Sequence, residues 1–165
     1  MGVIVVATDG SPGADIALEE ALALAHETGD SVTAVTVWQA LQGDFGLTYP
    51  PSAQLTDILD SERRHAEETL QRAADAAREA GVPFQAKLVT GDPAERICAL
   101  ADDLDARLIA VGTHGHGVVM QLLVGSVSGA VIRRANRPVL VARRGERAHA
   151  DDYELGSSSI PLASA

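Results

Sequence analysis

The chain has 165 residues, a formal net charge of −10, a pI near 4.8, one cysteine and an aromatic fraction of only 3%. This length suits one compact domain, and a lone cysteine excludes both an internal disulfide and a zinc site built from several cysteines. Nucleic-acid surfaces need clustered positive charge and stacked aromatic rings, so the composition argues against a nucleic-acid partner. No apolar run could cross a bilayer, and the N-terminus lacks the basic flank of a secretory signal. The sequence therefore predicts a soluble, cytoplasmic protein with no membrane partner.

The amino-terminal segment has the pattern of a strand, a helix and a second strand. Residues Val3–Ala7 are an apolar, mostly β-branched run closed by a turn, and Ser11 before Pro12 is typical of a helix N-terminus. The apolar helix that follows is predicted to stop at Gly29, because glycine adopts the left-handed conformation of a helix C-terminus at little cost. A second strand is predicted over Ser31–Trp38.

The rest of the chain continues this alternation. Residues 42–56 contain two glycines and two adjacent prolines without a helical period, which predicts an irregular connection. Apolar residues between 57 and 80 recur at helical spacing, which predicts an amphipathic helix. Asp92 before Pro93 is typical of another helix start. The remaining predicted elements are strands at 84–89, 108–111 and 138–142, and helices at 93–101 and 126–134.

Strands and helices alternate strictly, and the strands are nearly continuous in apolar residues. Both features predict a single α/β domain over residues 1–144, with a parallel sheet covered by helices on both faces. In such sheets a ligand lies outside the carboxyl ends of the strands, where the strand order reverses. The loops after the first and fourth strands are therefore the expected site. Residues 145–165 are acidic and then serine-rich, which predicts a disordered tail, with a docked arm as the alternative.

A glycine-rich segment between the fourth strand and the last helix carries the clearest chemical pattern. It runs from Gly112 to Gly125 with two further glycines, so backbone N–H groups can surround an anion without interference from Cβ atoms. Ser126 and Ser128 fall in the first turn of the next helix, where free N–H groups favour negative charge. The alternative is that the glycines only permit a tight turn. A P-loop is excluded, because the only lysine, Lys87, lies on a predicted strand.

The spacing of this segment, Gly112-x2-Gly115-x9-Gly125-Ser126, resembles the nucleotide-binding signature of the universal stress protein family, in its ATP-binding branch. The likeness covers nearly the whole folded chain, from the opening VIVVATDGSPGADIALEEAL to the closing RRANRPVLVAR. It implies a single Rossmann-like domain whose five parallel strands have the order 3-2-1-4-5, with helices on both faces. It also implies a homodimer that pairs through the exposed edge of the last strand.

The resemblance further implies how an adenine nucleotide is held, whether ATP, ADP or AMP. Adenine and ribose would lie against Thr8, Asp9 and the backbone near Val37. The phosphates would be held by Gly112, His114, Gly115, Gly125, Ser126, Val127 and Ser128. Residues 116–124 contain no lysine or arginine, where many relatives have a basic residue. The phosphate charge would therefore depend on N–H groups and hydroxyls, or on a bound Mg²⁺ ion.

Some of these residues have simpler explanations. Asp9 belongs to a turn of the kind that caps helices, although its place at the end of a central strand favours contact with a ligand. His114 and His116 could form half of a metal site, but no second pair of ligands accompanies them. We therefore expect neutral, hydrogen-bonding histidines and no metal site. Cys98 falls on an apolar helix face and is expected to be buried.

The sequence predicts an ATP-binding stress-response or signalling protein, in which occupancy of the site changes the surface shown to an unknown protein partner. No nucleophile, base and orienting residue are arranged together, so no dedicated catalysis is predicted, and hydrolysis of ATP would be weak at most. Two alternatives stay open. One is a dimeric scaffold of the same fold with an empty site, and the other is a slow ATPase.

Overall fold

The computed structural model describes residues 2–38, 53–113 and 125–143. Strands and helices alternate along the chain as predicted, and neighbouring strands are parallel. The elements are β1 (Val3–Ala7), α1 (Pro12–Thr28), β2 (Ser31–Trp38), α2 (Ala53–Glu79), β3 (Phe84–Thr90), α3 (Pro93–Asp103), β4 (Leu108–Gly112), α4 (Ser126–Arg134) and β5 (Val139–Ala142). The predicted tail lies outside the described residues. No helix within the described ranges is long and apolar enough to cross a membrane.

The strand β1 is the centre of the sheet, whose strand order is β3-β2-β1-β4-β5. The predicted order 3-2-1-4-5 is therefore confirmed. Ile4, Val5 and Val6 are completely buried, because β1 pairs with β2 on one side and with β4 on the other. The chain moves outward from β1 to β3 and then returns to the far side of β1 as β4. The strand order thus reverses between β1 and β4, which is where parallel sheets form a ligand crevice.

Helices pack on both faces of this sheet. On one face, α1 and α2 bring Leu22 and Leu70 into a cluster with β1 and β2. On the other face, α3 and α4 bring Ile97 and Val131 against the alternate side chains of the same strands. Cys98 belongs to this second cluster and is buried, as predicted. Each fully buried large aliphatic side chain contributes about 1.5–3 kcal/mol relative to an exposed one, so the two clusters hold the layers together.

Local sequence signals fix the ends of two helices. Ser11 caps α1 by accepting a hydrogen bond from the N–H of Ala14, and Asp92 caps α3 in the same way through the N–H of Glu95. Gly29 ends α1 in the left-handed conformation, with φ of 69°. These caps satisfy N–H and C=O groups that have no partner inside the helix.

The helix α2 is longer than the sequence indicated. It begins at Ala53, so the predicted irregular connection over 42–56 was wrong for its last four residues. The two helix-breaking prolines lie upstream at 50 and 51, and the alanine, glutamine and leucine that follow are strong helix formers. The other predicted element ends differ from the observed ones by at most two residues.

A buried carboxylate ties the amino edge of the sheet together. Asp30 accepts hydrogen bonds from the Gly2 N–H at 2.5 Å and the Thr28 hydroxyl at 2.9 Å, and it forms an ion pair with Arg107 at 2.8 Å. The Gly2 hydrogen bond, followed by those from Arg107 and Thr28, lowers the pKa of Asp30 from 3.8 to about 2. The interaction joins the start of β1, the end of α1 and the residue before β4.

We expect Asp30→Asn to lower the stability of the fold at neutral pH and to change its response to acid. Because the folded-state pKa is depressed, the ionised carboxylate stabilises the protein above the unfolded-state value of 3.8, and this contribution is lost as the pH falls towards about 2. Urea unfolding at a series of pH values would measure it. The difference between wild type and variant should be largest at neutral pH and shrink over that window.

Asp103→Asn is the matched control, because Asp103 is exposed and forms no ion pair with any described residue. An Asp30→Asn protein with the wild-type pH profile would contradict the assigned role of this carboxylate.

Candidate functional site

The carboxyl ends of β1, β2 and β4 bring Thr8, Asp9, Val37 and Gly112 of the predicted nucleotide residues to one edge of the sheet. Val6 pairs with Ala110, so two residues further along both strands Thr8 comes level with Gly112. On the other side of β1, the pairing with β2 extends as far as Thr8, whose N–H donates to the Val35 carbonyl at 3.0 Å. The structure therefore places Thr8 and Gly112 next to each other between β1 and β4, where the strand order reverses.

The turn after β1 is held by hydrogen bonds within the protein. Thr8 is only 6% exposed, and its hydroxyl oxygen accepts the N–H of Gly10 at 3.3 Å. Its carbonyl accepts the hydroxyl of Thr36 at 2.8 Å. Asp9 is exposed, and its Oδ1 accepts the N–H of Ser11 at 3.0 Å. Asp9 therefore forms the turn before the α1 cap, as its simpler explanation predicted. Its side chain is nevertheless exposed at this edge of the sheet.

Val37 lies close to the end of β2 and pairs with Val89 of β3. It is half-buried, and its side chain packs against the cluster beneath α3 and α4. The Val37 side chain is thus directed to the core, and the predicted contact of its backbone with a ligand stays a prediction.

Gly112 is required for packing. An added Cβ would lie 2.5 Å from the carbonyl oxygen of Gly13 and 2.7 Å from the nitrogen of Ala14, and it would also meet the Gly13 carbonyl carbon. These are backbone atoms in the first turn of α1, which cannot move as a flexible side chain does. The missing side chain at Gly112 thus has a structural cause, in addition to any role towards phosphate.

The N-terminus of α4 differs from those of α1 and α3. Its N-cap residue is Gly125, and no described side chain caps its first turn. Ser126 and Val127 are exposed there, whereas Ser128 is 4% exposed and donates its hydroxyl to the Gly125 carbonyl at 3.0 Å. The Gly125 N–H donates to the Thr113 carbonyl at 2.6 Å, so the start of α4 lies beside the residue that follows β4. The helix end thus presents backbone N–H groups, the feature that binds anions.

One cation contacts this edge from α2. The Arg72 guanidinium lies beside Gly10, where an added Cβ would be 2.7 Å from Arg72 Nη2. Arg72 also donates to the Thr69 hydroxyl at 3.4 Å, and it forms no ion pair with a residue that the structure describes. Within the described ranges, no group of three histidine, cysteine, aspartate or glutamate side chains could hold a metal ion.

Two predicted phosphate residues, His114 and Gly115, lie outside the described residues, as does His116. Sequence reasoning also missed residues that support the site. The backbone of Gly13 packs directly against Gly112. A glycine immediately after Ser11 and Pro12, in the first turn of a helix, could have indicated such a close contact. Thr36 is a buried polar residue in an apolar strand, which could have indicated a hydrogen bond to the backbone.

Comparison with known proteins identifies the family. The model of the universal stress protein family matches residues 1–143. The chain belongs to this family. A universal stress protein of Methanocaldococcus jannaschii is 33% identical over 141 residues, which cover 86% of this chain and 81% of the relative.

Two solved structures of universal stress proteins share the fold and carry nucleotides. The protein of Archaeoglobus fulgidus, in complex with dAMP, is 28% identical with a TM-score of 0.65, over 87% of this chain and 98% of that one. A universal stress protein in complex with cAMP is 26% identical with a TM-score of 0.66, over 86% and 97% of the two chains. The Rossmann-like fold predicted from the sequence is therefore confirmed, and these family members bind adenine nucleotides.

We expect Gly112→Ala to destabilise the fold by about 3 kcal/mol, the upper part of the usual range for overpacking, because the new methyl group meets backbone atoms. The midpoint of urea unfolding would measure the loss. Gly81→Ala is the matched control, since a Cβ there meets no atom within 4 Å and only the φ of +67° is unfavourable. That conformation costs about 1–2 kcal/mol. If Gly112→Ala proved no more costly than Gly81→Ala, the close approach of the two backbones would be refuted.

Proposed function

We propose that this universal stress protein binds an adenine nucleotide at the carboxyl edge between β1 and β4, and that occupancy alters the surface it presents in stress response or signalling. The observation that carries the proposal is the first turn of α4, which no described side chain caps, at the reversal of strand order. The dAMP and cAMP complexes of family members support an adenine nucleotide as the ligand.

The phosphate group would lie at the start of α4. Ser126 and Val127 are exposed in the first turn, and their N–H groups carry the positive end of the helix dipole. The buried Ser128 hydroxyl is engaged by the Gly125 carbonyl, so we propose that Ser128 acts mainly through its N–H. His114 and Gly115 complete the predicted phosphate set. A triphosphate would place more charge here than these donors neutralise, so we propose that ATP binds together with Mg²⁺.

The nucleoside would lie against the turn after β1 and the end of β2. Asp9 is exposed at this edge, and a carboxylate can accept hydrogen bonds from ribose hydroxyls. Thr8 is buried and bonded to Gly10 and Thr36, so we propose that it positions Asp9. The half-buried Val37 would contribute backbone atoms near the adenine.

Calorimetric titration of the full chain with AMP, cAMP and ATP with Mg²⁺ tests the proposal. Trp38, the only tryptophan, lies at the carboxyl end of β2 and provides an independent fluorescence signal. Absence of binding of all three nucleotides at millimolar concentration would favour a scaffold with an empty site. Release of phosphate from bound ATP would favour the slow ATPase.

We expect Ser126→Pro to weaken nucleotide binding while preserving the fold. Proline removes the N–H of the first helical residue, a position where proline is well tolerated, and Pro12 and Pro93 already occupy it in α1 and α3. The ψ of 161° at Gly125 also suits a residue before proline. Loss of one hydrogen bond to a charged group corresponds to about a ten- to hundredfold higher Kd.

Ser126→Ala is the control, because it removes only the hydroxyl and retains the N–H. Titration of both variants with AMP separates the two donors. Equal AMP affinity in the proline variant and in wild type would remove the α4 N-terminus from the site.

We also propose that the protein is a homodimer formed through β5. This strand is an edge of the sheet formed by the described strands, where it pairs with β4 alone, and its apolar residues Val139, Leu140 and Val141 are only half-buried. An exposed apolar edge favours pairing with another strand, and two-fold symmetry is the commonest arrangement of oligomers.

Light scattering on the full chain and on a chain truncated after Arg144 tests this assembly. We expect a dimer in both cases, because the edge belongs to the folded domain. A full chain that is monomeric and dimerises only after truncation would show instead that the acidic tail covers the edge.

A further inference from the structure

A groove of about 630 Å³ separates the outer surfaces of α1 and α2. It lies away from the nucleotide edge, because it follows the second half of α1 towards Gly29 at the opposite edge of the sheet. Residues on one face of α1 form one wall of the groove, and residues on one face of α2 form the other. The lining residues are Glu19, Leu22, Ala23, His26 and Glu27 of α1, and Ala76, Glu79 and Ala80 of α2.

The floor of the groove is apolar and made of small residues. Leu22 is buried beneath it, and Ala76 and Ala80 are half-buried against the core. Ala23 is exposed in the α1 wall. Small side chains on both walls let another helix approach closely, since helices pack with their axes 8–10 Å apart.

The rim of the groove is acidic and uncompensated. Glu19, Glu27 and Glu79 are exposed, and none of them forms an ion pair within the described ranges. The helix α1 contains no lysine or arginine. The nearby cation Arg78 is paired with Asp75. The groove therefore carries three negative charges around an apolar floor.

We propose that this groove is a docking site for a basic amphipathic helix of a partner protein. Such a helix would place small apolar residues on the floor and lysine or arginine residues against the rim, which complements both the shape and the charge of the groove. Glu19 and Glu27 are eight residues apart, which corresponds to about 12 Å along α1. The partner helix should therefore carry basic residues about two turns apart on one flank, and a further one on the flank that faces Glu79.

A labelled synthetic helix of about 18 residues, with alanine and leucine on one face and lysines at this spacing on its flanks, is the probe. Fluorescence anisotropy would measure its binding to the full chain. We expect saturable binding that weakens as NaCl rises from about 0.05 M to about 0.5 M, because exposed ion pairs are screened by salt. The same peptide with glutamate in place of lysine should not bind.

Two charge-matched triple variants make the test specific. Glu19→Gln, Glu27→Gln and Glu79→Gln together should raise the Kd at least about tenfold, because they remove the rim charges. Glu62→Gln, Glu68→Gln and Asp103→Asn together change the net charge equally at exposed positions that do not line the groove, and should leave the Kd within about twofold, since distant surface charges are largely screened. Equal effects of the two sets would overturn the proposal, as would no binding to wild type.

Ala23→Arg gives a second measurement, because a long side chain at this exposed position fills the groove without entering the core. We expect it to abolish peptide binding while the mass in light scattering and the circular dichroism spectrum stay unchanged. A change of oligomeric mass in this variant would instead identify the occupant as a second copy of the chain, and would overturn the proposal.

Discussion

The close contact between the end of β4 and the first turn of α1 is the constraint on which the carboxyl edge of this protein depends. Gly112 and Gly13 have no side chains, so the two backbones touch where a Cβ on Gly112 would meet carbonyl atoms. This contact fixes α1 relative to β4, and therefore fixes the turn after β1 next to the carboxyl end of β4. The position of the proposed ligand site is therefore set by packing of the backbone, independently of any contact with a ligand.

The N-termini of the helices differ in whether a side chain caps their backbone N–H groups. α1 and α3 start with a capping side chain and a proline, which satisfies or removes N–H groups that lack a partner. α4 starts at Gly125 without a side-chain cap in the described structure. A side chain that capped α4 would compete with an anion for the same N–H groups. Both α1 and α4 begin next to the strand-order reversal, and of the two only α4 has a first turn that no described side chain caps.

The helix α1 shows how one element serves several surfaces. Its buried side forms the core with β1, its first turn supports the carboxyl edge, and its outer stripe forms one wall of the acidic groove. The Asp30 network anchors the chain just beyond its C-terminus, at the edge opposite the proposed nucleotide site. A partner bound in the groove would thus contact the same helix whose first turn packs against Gly112.

The sequence by itself determined the element order, the α1 and α3 caps and the parallel α/β class, because these depend on local periodicity and on capping residues such as Ser11 and Asp92. It also determined which segment carries the glycine pattern. It could not determine that Gly112 faces Gly13, that Thr36 bonds the Thr8 carbonyl, or that Arg72 reaches Gly10, because each contact joins residues far apart in the chain. Nor could it place Glu19 and Glu79 on the two walls of one groove. Only tertiary packing decides these contacts, since the distance between two helices or two strands is set by all the side chains between them.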